Sequence, residues 1–193
     1  RIAGGWAAQQ FPLGTAGCEN CAGLPLPVYY IADGSQAASR IGTADVTAPA
    51  AAPGALWLVS YRRGADMSTA AGIAQEVSVT GAALGPRLRL PAGYVIDQGT
   101  RAGLLLVQEA ASSDTVGYEL WDPGTQRVTR SFVNVIAASP TQIAWVPACT
   151  GGCRVDVLDL PGGRTGEISL PYGTNAGEGA FRPDGRLLAL LVT

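Results

Sequence analysis

Apolar residues in this chain fall into short runs separated by turn-forming residues, and the runs have the length of strands. ALWLVSY (55–61), GLLLVQ (103–108), QIAWVP (142–147) and RLLALLV (186–192) are almost wholly apolar, so strands made from them need cover on both faces. Ahead of the last three lie shorter, weaker runs: YVID (94–97), VIAA (135–138) and GAF (179–181). A strand–turn–strand segment also recurs, as VYYIADGSQAASRIG (28–42), QEVSVTGAALGPRLRL (75–90), YELWDPGTQRVTRSF (118–132) and VDVLDLPGGRTGEISL (155–170). Its outer half alternates apolar and polar, as in Arg87-Leu88-Arg89-Leu90 and Glu167-Ile168-Ser169-Leu170, the pattern of a half-wet strand. Helical periodicity is nearly absent. Its best stretch, 67–77, is interrupted by Gly72 and has no closing cap.

The turn residues Asp33, Thr80, Asp122 and Asp159 are 47, 42 and 37 positions apart. Their mean is close to the ~40–45-residue blade of a β-propeller. One weak strand, one buried strand and the strand–turn–strand segment make a four-strand unit. A gradient from dry inner strand to half-wet outer strand is what stacked blades require. The expected fold is therefore all-β, a β-propeller of four-stranded antiparallel blades with about four blades' worth present. A β-sandwich is the weaker alternative, because it does not call for repeating four-strand units. The chain reads as one propeller domain or fragment over 1–193, with units 1–43 (partial), 44–90, 91–132, 133–170 and 171–193 (partial). The N-terminal unit supplies third and fourth strands and the C-terminal unit first and second strands. Together they either complete one blade and close a small ring, or the chain is an arc of a larger one. A further strand around Trp6 favours the arc.

FRPDGRLLAL (181–190) resembles the F-S-P-D-G-R-x-L-A signature of TolB-like and WD-repeat-like propellers, with Arg182 where Ser is usual. YELWDPGTQRV (118–128) is similar to the strand–turn–strand segment that follows it in those repeats. The resemblance covers 54–193 and is closest to secreted or membrane-tethered propeller proteins of actinobacterial type. It implies architecture and leaves function open, since propellers host many activities. The histidine network of the WD-repeat subgroup has no counterpart, because the chain contains no His.

Composition narrows the classes. Hydrophobic residues make up 47% and charged residues 15%, the balance of a folded chain. All basic residues are Arg, and the net charge of −2 argues against nucleic acid as a partner. No run approaches the ~20 apolar residues of a membrane-spanning helix, although a tether outside this stretch fits the reading. The first residue is Arg and no leader precedes it, so the sequence is expected to be a matured or excised piece.

Four cysteines form two close pairs, Cys18/Cys21 and Cys149/Cys153. Structural disulfides are the leading expectation, with buried thiols or a metal or redox site as alternatives. A bridge between Cys149 and Cys153 would clip the hairpin between 147 and 154, contributing only ~2 kcal/mol and implying an oxidising compartment. The missing His excludes Ser-His-Asp and Cys-His catalysis. No Walker loop, nucleophile elbow or dinucleotide fingerprint occurs, and no cofactor or metal is expected. Asp33-Gly34 and Asp184-Gly185 read as turns, not calcium loops. Glu109 with Asp114, or Asp97 with Glu178, would serve as carboxylate pairs only if a ring brought them together. Asp156 and Asp159 read as solvated positions. Trp57, Trp121 and Trp145 read as packing residues ahead of a carbohydrate-stacking role.

In a propeller, binding concentrates on the face formed by the loops between second and third strands and between blades. Those loops are 61–69, 110–115, 149–153 and 171–175. They offer Arg62, Arg63, Asp66, Tyr172 and Asn175 as candidate binding residues, the Arg pair being suited to a carboxylate. Ordinary solvated loop positions are the competing account of the same residues. The expected function is non-enzymatic: an extracytoplasmic binding or scaffold propeller recognising a protein, peptide or glycan. The alternative is the propeller portion of an enzyme (lyase, lactonase or quinoprotein-like dehydrogenase) or the gate of a peptidase, with catalytic residues elsewhere.

Overall fold

The computed structural model describes residues 4–10, 25–62, 65–108, 116–147, 153–160, 162–182 and, as backbone, 187–192. All regular structure among them is strand, arranged in five antiparallel sheets. The first holds β1 (Gly5–Gln9), β2 (Leu26–Ala32) and β3 (Ala38–Ala44). Three four-stranded sheets follow in chain order. They are β4 (Val46–Pro49) to β7 (Leu88–Arg89), through β5 (Ala55–Ser60) and β6 (Ile73–Ser78); β8 (Tyr94–Thr100) to β11 (Arg127–Val133), through β9 (Gly103–Gln108) and β10 (Gly117–Asp122); and β12 (Val135–Ala138) to β15 (Arg164–Ser169), through β13 (Gln142–Trp145) and β14 (Arg154–Asp159). A final pair joins β16 (Ala176–Phe181) and β17 (Leu187–Val192). Each sheet is an up-and-down meander, the blade of a β-propeller.

The chain divides into two compact units, 1–97 and 98–193, at a point within β8. In the first unit, Val28, Ile41 and Ala44 of the first sheet pack against Leu56, Leu58 and Val77 of the next. The turn after β6 backs onto β3 so closely that a Cβ at Gly81 would lie 2.8 Å from the Ile41 carbonyl oxygen, and its φ is +83°. Only glycine accepts both conditions. In the second unit, Leu105, Leu120 and Phe132 of one blade pack on Ile143 and Leu158 of the next. Phe132 meets Trp145 edge-on, with ring centroids 5.1 Å apart. Ile136, Ala144, Val146 and Val155 then meet Ala176 and Phe181. The apolar inner strands β5, β9 and β13 therefore find the two-sided cover that their sequences demand.

Several expectations change. Residues 67–77 form no helix; a turn at 67–69 leads into β6, because Gly72 and the alternation of 73–78 favour the strand. The N-terminal sheet has three strands, since β1 pairs with β2 from Gly5↔Ala32 to Gln9↔Val28. With β3 on its other edge, β2 has no edge left for a C-terminal strand. A blade closed by laying β17 on β2 is thereby ruled out. β15 is exposed along its whole length instead of half-wet, because its Arg, Thr, Gly, Glu and Ser positions carry too little apolar surface to draw cover. Asp156 is not solvated. It is buried on β14 and ion-paired to Arg154 at 3.1 Å, which also reaches Glu167 at 3.3 Å.

Candidate functional site

One position recurs at the head of each of the last four sheets. The residue just before the first strand is Asp45, Gly93, Asn134 or Asn175, all types that bend the chain readily. At Asp45 the backbone N–H donates to Val59 at 2.8 Å, and the carboxylate accepts the Tyr61 N–H at 2.7 Å. That side chain is consumed in stapling the connection to the end of β5.

Asn134 occupies the same place in the second unit. Val46 pairs with Val59 and Val135 with Trp145, so Pro147 stands where Tyr61 stands. Proline has no N–H to offer. The Asn134 backbone is satisfied, donating to Val116 and accepting from Val146, each at 3.1 Å. Its carboxamide makes no hydrogen bond among the described residues. Asn134 also holds a φ of 50°, a left-handed conformation that asparagine tolerates better than most residues.

Asn175 is set by the turn before it. Pro171 accepts the Thr174 N–H at 3.2 Å and the Thr174 hydroxyl at 2.6 Å, with Gly173 at φ +77°, the signature of a type II turn. The Asn175 oxygen accepts the Ala176 N–H at 2.9 Å, which leaves its amide nitrogen as a donor. Between the two asparagines lies a cleft of about 360 Å³, walled by Val116, Val146 and Pro147, with Tyr118 contributing a phenol. Among the described residues, no charged side chain lines it. It can offer hydrogen-bond donors and an acceptor on apolar walls.

Comparison with known proteins adds little. No family model matches the chain, and no curated protein does. Among solved structures, TolB from Acinetobacter baumannii superposes with a TM-score of 0.48 at 13% identity, over 84% of this chain and 42% of that one. The chain thus spans less than half the length of that TolB. The blade assignment rests on sheet order and inter-sheet packing.

The candidates from sequence are dispersed. Asn175 lines the cleft, and Tyr172 tops the adjoining turn with 91% of its surface exposed. Arg62 and Asp66 lie on the β5–β6 connection of the other unit and take no part in the cleft; Arg63 falls outside the described residues. Arg62 is exposed, its carbonyl accepting the Ala65 N–H at 2.9 Å. Asp66 organises its own turn. Its carboxylate accepts the Ser68 hydroxyl at 2.7 Å and backbone N–H at 2.9 Å, and these bonds hold it below the usual carboxylate range.

Cys153 is disulfide-bonded; Cys18, Cys21 and Cys149 lie outside the described residues, as do Glu109, Asp114 and Asp184. Asp97 is raised by desolvation alone, with no second carboxylate contributing, although the residue as a whole is exposed. The local crowding of its carboxyl is enough to account for the direction. Trp57 and Trp121 are buried and Trp145 is half-buried against Phe132. Sequence reading passed over Asn134, which sits alone between β11 and β12. The available signal was the recurring Asx or Gly before each first strand, combined with a proline two residues beyond the register partner.

Proposed function

We propose that this chain is a binding propeller working outside the cytoplasm, and that it recognises its partner through the face carrying the β9–β10, β11–β12, β13–β14 and β15–β16 connections. The observation that carries the reading is the cleft between Asn134 and Asn175, uncharged among its described lining residues, where one carboxamide is left without an intramolecular partner by Pro147. Polar groups held ready on apolar walls are the usual make-up of a recognition site. A disulfide at Cys153 supports an oxidising compartment, and pairing with Cys149 would pin the connection that begins at the cleft wall.

Defined libraries of peptides, glycans and extracytoplasmic protein domains provide the test, presented to the full chain and to an Asn134→Gly/Asn175→Ala variant. The expected result is a ligand held by the parent and weakened about tenfold or more in the variant, with cooperative melting kept and lowered only by loss of the Asn175 bond to the Ala176 N–H. Equal retention of every ligand by both proteins would remove the cleft from the account.

A further inference from the structure

We infer that the cleft between Asn134 and Asn175 is a subsite for a neutral saccharide, with Tyr172 as the aromatic platform at its mouth; this rests on the binding reading above. Charge is the first discriminator. A phosphate, carboxylate or ammonium ligand would need an opposite charge to replace lost hydration, and the described lining residues supply none.

The second discriminator is the kind of polar group present. A free carboxamide carries a donor and an acceptor side by side, and Asn134 has both available while Asn175 keeps its donor. Neighbouring sugar hydroxyls are each donor and acceptor, so they can satisfy this set in either sense. A purely apolar ligand would strand the carboxamides unpaired and lose their hydration without replacement.

The third is shape. Val116, Val146 and Pro147 give aliphatic wall, which suits the C–H faces of a sugar ring. At about 360 Å³ the cleft is near the lower end for small-molecule sites, large enough for one or two rings and short for an extended chain segment.

Tyr172 completes the set. It occupies the second position of the 171–174 turn, three residues before Asn175, and is 91% exposed. Burying so large a ring costs little ordering entropy, because only two side-chain torsions must be fixed. The turn leaves the aromatic ring almost wholly in solvent, three residues ahead of the asparagine that lines the cleft, so packing does not account for it.

Calorimetric titration of the full chain with a panel of neutral mono- and oligosaccharides, alongside uncharged peptides of similar size, decides the matter. A neutral saccharide should bind, with affinity falling about tenfold in Asn134→Gly, a change that keeps the left-handed backbone while deleting the carboxamide. Tyr172→Ala should weaken binding similarly, and Tyr172→Phe should retain it, since stacking needs the ring and not the hydroxyl. A gain of affinity from mono- to oligosaccharide would mark a polymeric glycan as the source; equal affinity would mark a free sugar. Binding of peptides that is lost in Asn134→Gly, with no saccharide bound, would overturn the ligand class and leave the binding cleft standing. Saccharide binding indifferent to Asn134 and Tyr172 would overturn the subsite. Absence of any binding sensitive to Asn134 would overturn both.

Discussion

Single residues decide whether a blade connection is structural or available. Asp45 spends its carboxylate on the Tyr61 N–H, and the equivalent Asn134 cannot do the same because Pro147 lacks that donor. The backbone at Asn134 is left-handed, so Asn134→Val should cost on the order of 1–2 kcal/mol, whereas Asn134→Gly should melt like the parent. Equal stability of the Val and Gly variants in urea titrations would mean that φ is not held as described. At Asp66, hydrogen bonds from Ser68 depress the carboxyl. The turn should therefore be fully supported above the ordinary carboxylate value near ~3.9 and lose that support only as pH falls through the lower folded value. Amide shifts of Ser68 and Thr69 followed through acid should stay flat down to pH ~4 and then move; movement at pH 5–6 would contradict the assignment. Asn134 was hidden in the sequence because its role depends on a proline thirteen positions away, a relation that only the β12–β13 register creates.

At the scale of elements, the inner strands were the most legible part of the chain. β5 and β9 announce themselves by being apolar on both faces, and the structure buries those faces between sheets. Leu105 and Ile143 are fully enclosed where two blades meet. Truncating either to Ala should cost ~2–5 kcal/mol, while Ile168→Ala on exposed β15 should stay within about 0.5 kcal/mol. Chemical denaturation of the three variants compares them directly, and similar losses in all three would mean that the outer strand is covered after all. Gly81→Ala belongs with the costly group, since the added methyl meets the Ile41 carbonyl at a positive φ. The outer strands were less legible. Alternation in Glu167-Ile168-Ser169-Leu170 predicts one dry face, but an outermost strand stays wet unless something covers it, and local pattern carries no information on that.

For the whole molecule, blade repetition was readable from turn spacing, whereas ring closure was not. Closure depends on which strand occupies each sheet edge, and β1 takes the edge of β2 that a C-terminal strand would have needed. The candidate loops divide between two compact units, and of the described candidates Asn175 lines the cleft. The account's central claim is that recognition occurs at that cleft. Backbone-amide shift mapping of the full chain with whichever neutral ligand binds tests it most directly. The account predicts perturbations concentrated at Val116, Asn134, Val146 and Asn175. Perturbations gathered instead at Arg101, Gly124 and Thr141, in the turns at the opposite ends of the same strands, would contradict it.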